Sequence, residues 1–213
     1  MAAAKTYPHN FLHDGFTALA YDLHVQQKMI RLLSIILTLL AIPLLASTEL
    51  PTPPDGYSWK PILEGQSALL IPEGWHFKSQ HGKSTDGFFV SKEDIEKEGK
   101  FDTGLSLNLI RDVKKSTQYT PTQYSIGMMS QIEKEKEVLL VDSKDAGPFK
   151  AITIRYRDVK QGLPDVVIHN LFIANDQTGT LWFYMFESPE REWESAWKIG
   201  DTILSHLLIE TEI

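Results

Sequence analysis

Two stretches towards the C-terminal end constrain this chain more than any others. Asp165–Ala174 (DVVIHNLFIA) and Thr180–Ser188 (TLWFYMFES) are each of strand length and apolar on both faces of an extended backbone. A strand that alternates inward and outward residues needs only one covered face, whereas a strand apolar throughout needs both covered. Asn175-Asp176-Gln177-Thr178-Gly179 between them is turn-forming and too short for a crossover, so the two form an antiparallel hairpin at the centre of a sheet. Any fold for this chain must put one layer above that hairpin and another below it.

The remaining strands read more simply. In GLSLNLIRD, Leu105, Leu107 and Leu109 share one side while Ser106 and Asn108 share the other. In KAITIRYRD, Ile152, Ile154 and Tyr156 point inward and Thr153, Arg155 and Arg157 outward. A period of two predicts half-buried strands. Tyr57–Leu63 and Ser67–Ile71 flank a Glu64-Gly65 turn, Pro72-Glu73-Gly74 opens a further strand at Trp75–Ser79, and Gly87–Ser91 precedes a charged helical turn around Glu93–Lys97.

Two helices supply the covers. Thr120, Pro121 and Gln123 form a capping-box pattern with proline at the first helical position. That helix runs through Ile126, Met129 and Ile132 into the solvated run Glu133–Glu137. The second opens at Ser188-Pro189 with Glu190 and Glu192 against the helix dipole, and carries Trp193, Ala196, Trp197, Gly200, Ile203, Leu204 and Leu207 at helical spacing. Gly200 inside that stripe costs about 1 kcal/mol of helix propensity, which a close approach of helix to sheet would offset. The expected class is α+β, a mostly antiparallel sheet sandwiched between helices. With 213 residues, 42% of them apolar, the chain can bury a core that needs no staples.

The first quarter of the chain is different in kind. Met29–Ser47 (MIRLLSIILTLLAIPLLAS) has a basic start at Lys28 and Arg31, an uncharged apolar stretch from Leu32 to Leu45, and small residues at Ala46 and Ser47. That is the order of a secretory signal peptide, and the apolar stretch falls short of the ~20 residues that cross a bilayer comfortably. Retained instead of cleaved, residues 32–47 would act as a membrane tether. Residues 1–28 are polar and lack a helical period, so Met29 is expected to be the true start, with the preceding residues an over-extended reading frame. Peptides from Ala2–Lys28 in a native digest would refute this. Residues 48–56 then form a Pro-rich, extended linker, and residues 57–213 one α/β domain.

The stretches LLIPEGWHF, GLSLNLIRDV and LWFYMFESPEREWESAWKIGDTILSHLLI, together with the order of elements around them, resemble the PsbP-like family. That family includes the extrinsic photosystem II subunit and shares its α/β/α sandwich with a Ran-binding nuclear import factor. The resemblance spans roughly residues 57–210 and implies the sandwich fold, action through contacts with larger protein complexes, and no catalytic residue to carry over. The export signal is not of the plant lumenal type and conflicts with a nuclear role.

Composition and motif searches narrow the chemistry further. A net charge of −7 with no basic run excludes a nucleic-acid footprint. With no cysteine, disulfides, thiolate metal sites and thiol nucleophiles are excluded together. No nucleophile elbow, H-E-x-x-H or phosphate-binding glycine loop occurs, and no cofactor is expected. His76 and His81, with Asp86 nearby, could ligate a metal, but a strand histidine and a loop histidine meeting water fit the pattern better. His169 beside Asn170 reads as an interior polar pair, and His206 as a cation at a helix end. Trp182, Tyr184, Trp193 and Trp197 read as helix-on-sheet packing.

The sequence therefore points to a non-enzymatic binding or assembly module of the bacterial envelope, periplasmic or secreted. Its unidentified protein partner would meet an exposed patch that includes Trp59, Trp75 and Phe77. The alternative is a small-molecule binder or a periplasmic hydrolase using His76, His81 or His169.

Overall fold

The computed structural model describes residues 50–209. The reading-frame, signal-peptide and tether expectations for residues 1–47 lie outside them. Among the described residues, seven strands form one antiparallel sheet in the order β3-β4-β5-β9-β8-β7-β6. These are β3 (His76–His81), β4 (Thr85–Ser91), β5 (Gly104–Ile110), β6 (Glu137–Ala146), β7 (Phe149–Asp158), β8 (Val166–Asn175) and β9 (Thr180–Pro189). The hairpin expected to be central is central: β8 and β9 pair from Val166↔Pro189 to Asn175↔Thr180, with β7 beyond one and β5 beyond the other.

The two covers differ. One face carries a separate two-stranded sheet, β1 (Tyr57–Ile62) and β2 (Ser67–Pro72), together with the C-terminal helix. Ile62, Leu69 and Leu70 of the small sheet share a core with Phe88, Leu107, Trp182 and Phe186 of the large one. The opposite face is covered by the central helix over β7 and β8, where Ile152, Ile154, Ile168 and Phe172 meet Tyr124, Met128, Met129 and Ile132. The α+β sandwich is as expected, with one difference: the first two strands form part of a cover instead of joining the main sheet.

Four α-helices occur among the described residues: α1 (Ile95–Glu98), α2 (Val113–Thr117), α3 (Pro121–Glu135) and α4 (Trp193–Ser205). The capping box at α3 is present, Gln123 N–H donating to Thr120 Oγ1 at 3.3 Å and Thr120 N–H to Gln123 Oε1 at 3.1 Å. Three details differ from expectation. Ser188-Pro189 does not open α4. Ser188 is buried at the end of β9, and a 3-10 turn over Glu190–Glu192 intervenes before the helix proper at Trp193. Ile126 faces solvent at 44% exposure, because the buried stripe of α3 runs through Ser125, Met128, Met129 and Ile132. Glu137 belongs to β6, an edge strand absent from the sequence reading.

Gly200 meets its expectation. A Cβ there would come within 2.9 Å of three ring carbons of Phe186, which is fully buried. The missing side chain lets α4 lie against β9.

Candidate functional site

A groove of about 730 Å³ lies between the β1–β2 connection and the β3–β4–β5 end of the large sheet. Its upper lip is the stretch Lys60–Gln66, in which Leu63 and Glu64 hold φ of 52° and 57°. L-residues adopt this left-handed backbone at a cost of about 1–2 kcal/mol each, so surrounding contacts must impose the shape of the lip.

The floor is aromatic. Phe77 on β3 and Phe88 on β4 stack with centroids 6.5 Å apart, and the Lys60 ammonium lies 5.1 Å above the Phe77 ring. A cation over an aromatic face contributes about 0.5–1 kcal/mol at an exposed site. Among the described residues, Lys60 makes no ion pair with a carboxylate.

At the far end Asp86 is buried and held from two sides. Arg111 Nη1 donates to its Oδ2 at 2.6 Å, and His81 Nδ1 lies 3.0 Å from its Oδ1. Burial alone would raise the carboxyl pKa, but the hydrogen bonds from Arg111 and His81 outweigh it and hold Asp86 below the usual carboxylate range. The strand register explains the cluster. His81 pairs with Asp86 across the β3–β4 hairpin, and Arg111 follows directly on β5.

Of the expected patch, only Phe77 lines the groove. Trp59 is half-buried against the first core, with its Nε1–H donating to the Pro51 carbonyl at 2.5 Å, and Trp75 is half-buried against the same core. Lys60 and Arg111, absent from the sequence reading, are the cations that face the groove. No motif marks them, since the tertiary register alone brings them together.

The histidines do not assemble. His76 and His81 start and end one strand, about 17 Å apart and on opposite faces. His76 approaches Asp94 at 3.9 Å, and among the described residues no three His, Asp or Glu side chains form a metal-binding group. The expected His169–Asn170 pair fails for the same geometric reason, since neighbours on a strand point to opposite faces. His169 accepts from Arg155 Nε at 3.3 Å and packs 4.3 Å from Trp197, while Asn170 bonds Tyr156 on the other side of the sheet. Burial, then the nearby Arg155 charge, pushes His169 down to about 3. His206 ends α4 with Nδ1 at 2.8 Å from the Thr202 carbonyl.

Ser79, His81 and Asp86 all line the groove and bear the residue types of a hydrolytic triad. Their spacing does not suit one. Ser79 and His81 are two apart on β3, and among the described residues the His81 ring bonds Asp86 with no hydrogen bond to the Ser79 hydroxyl that would activate it. Asp86, moreover, is shared with Arg111.

No protein-family model matches the chain, and no curated protein matches it. Solved structures do. A cyanobacterial PsbP from Synechocystis is 17% identical over 72% of this chain and 92% of its own, with a TM-score of 0.47. The Ran-binding protein Mog1p of Saccharomyces cerevisiae is 14% identical over 72% and 95%, with a TM-score of 0.43. LpqN of Mycobacterium tuberculosis, described as involved in cell envelope biogenesis, is 11% identical over 69% and 87%, with a TM-score of 0.39. All three TM-scores lie below 0.5 and all three identities below 20%. Among the described residues no helix is long and apolar enough to cross a membrane.

Proposed function

We propose that this protein is a non-enzymatic binding module of the cell envelope whose groove between the small and large sheets receives a segment of a protein partner. One observation carries the reading. The groove presents Lys60, unpaired with any carboxylate among the described residues, over an aromatic floor, while its own buried carboxylate, Asp86, is fully engaged by Arg111 and His81. An occupant that places an apolar or aromatic side chain on Phe77 and an acidic group near Lys60 complements this surface. Trp59 and Trp75 buttress the strands that frame it. The signal-like run at residues 29–47 supports export, with residues 57–213 as the exported domain and residues 48–56 as its linker.

Affinity capture from a crosslinked envelope fraction, with a C-terminal tag, tests the proposal. The wild type should recover a stoichiometric partner that Lys60→Glu loses by about tenfold or more, with Lys198→Glu on the outer side of α4 unaffected. Equal recovery by both variants would remove the groove from the interface. Hydrolysis of p-nitrophenyl acetate abolished by Ser79→Ala would favour the hydrolase reading instead.

A further inference from the structure

The second face of the large sheet carries a smaller, almost wholly apolar pocket of about 300 Å³ over β3, β4, β5 and β9. It lies beside the area covered by α3, in a region that α1 and the loop after it only partly roof. Lys78, Phe89, Ser106 and Met185 form one cross-strand row along its base, each directly opposite the next. Gln80 of β3, Ile95 of α1 and Phe101 complete the walls. Gly104, whose Cβ would come within 2.8 Å of the Phe101 ring, lets that ring lie down against the sheet.

Two polar groups stand in the row, Lys78 at one end and Ser106 one position short of the other. Ser106 is 4% exposed, and among the described residues its Oγ has no hydrogen-bond partner. Buried hydroxyls are ordinarily bonded, so a solitary one in the wall of an apolar pocket marks a place where a partner is missing. Met185, next to it, is half-buried and unbranched, a side chain that can shift to admit a ligand atom. At the other end Lys78 already holds a carboxylate, that of Glu96 at 3.6 Å, whose side chain is 73% exposed and readily displaced. Lys78 and Ser106 are two strand spacings apart, about 10 Å.

From this geometry we infer that the pocket binds a small, flat, apolar carboxylic acid carrying a hydrogen-bonding group at its far end. The carboxylate replaces Glu96 on Lys78, the body lies on Phe89 between Ile95 and Phe101, and the distal group meets Ser106 Oγ. This site is separate from the groove, on the other face of the sheet, and its occupancy does not depend on the protein-partner reading.

The test uses three probes of one shape, 6-hydroxy-2-naphthoate, 2-naphthoate and 2-naphthol, titrated into the isotope-labelled protein and followed by backbone amide shifts. 6-Hydroxy-2-naphthoate should bind tightest, with shifts confined to β3, β4, β5, β9 and α1. Lys78→Met should weaken both naphthoates by about tenfold and leave 2-naphthol unchanged. Ser106→Ala should weaken the hydroxylated probes and spare 2-naphthoate. Glu96→Gln, which removes the competing carboxylate from an exposed position, should tighten both naphthoates. The inference is overturned if no probe binds at millimolar concentration, if the shifts map to the Lys60–Arg111 groove, or if the carboxylate preference survives Lys78→Met in a variant whose amide spectrum shows it folded.

Discussion

Gly200 carries two opposed effects in one residue. Alanine there would gain about 1 kcal/mol of helix propensity. Its Cβ would also press on a Phe186 ring already enclosed by Trp193 and Trp197, at centroid distances of 6.0 and 5.8 Å. Overpacking a full core costs about 1–3 kcal/mol, so the contact should win and Gly200→Ala should lose up to about 2 kcal/mol in urea unfolding. A stabilised variant would mean that α4 does not lie this close to β9. His169 makes a second residue-scale prediction. It is pushed down to about 3 in the folded protein against about 6.5 when unfolded, so between those values the unfolded chain binds a proton that the native one does not. Stability must therefore fall as pH drops below about 6.5, by up to about 1.4 kcal/mol per pH unit from this group. His169→Gln, which can still accept from Arg155, should remove that slope and leave the loss near pH 4 and below. There the depressed carboxyl of Asp86 regains its proton, and its contribution, present above the ordinary carboxylate pKa, disappears.

Helix α3 is anchored at one end by a small network. Asp176 in the β8–β9 hairpin accepts from Thr120 Oγ1 at 3.1 Å and from the Thr122 N–H at 2.9 Å, while Thr120 also caps the helix. Thr120→Ala removes both roles and should cost about 1–2 kcal/mol; a loss below about 0.3 kcal/mol in chemical denaturation would show the cap to be incidental. The capping box was legible because it depends on residues three apart, and β5, β7, β8 and β9 were legible because burial imposes a periodic or continuous apolar pattern. β6 was not. It is an edge strand paired with β7 alone, irregular between Val138 and Leu140, and its Leu139, Leu140 and Val141 are more than 40% exposed. A strand without a buried face leaves no period of two in its sequence. The start of α4 was misread because Ser188-Pro189 has the chemistry of a helix entry, while β9 uses both residues to finish its ladder with Val167 and Val166.

For the whole molecule, each face of the sheet has its own core, and the covers leave a concavity on either side. The sequence could give the layers, but not which cations would face the groove. Lys60 and Arg111 are 51 positions apart and meet only through the docking of the small sheet on the large one. Trp59, Trp75 and Phe77 all pack against the first core, and of the three Phe77 lines the groove. The claim that this groove is the partner-binding surface is tested most directly by placing a photocrosslinking amino acid at Gln66 on its lip and, separately, at Lys198 on α4, then irradiating intact cells. A discrete crosslinked product at Gln66, lost when Lys60→Glu is added and absent from Lys198, is the predicted result. Equal products at the two positions, or one at Gln66 indifferent to Lys60, would contradict it.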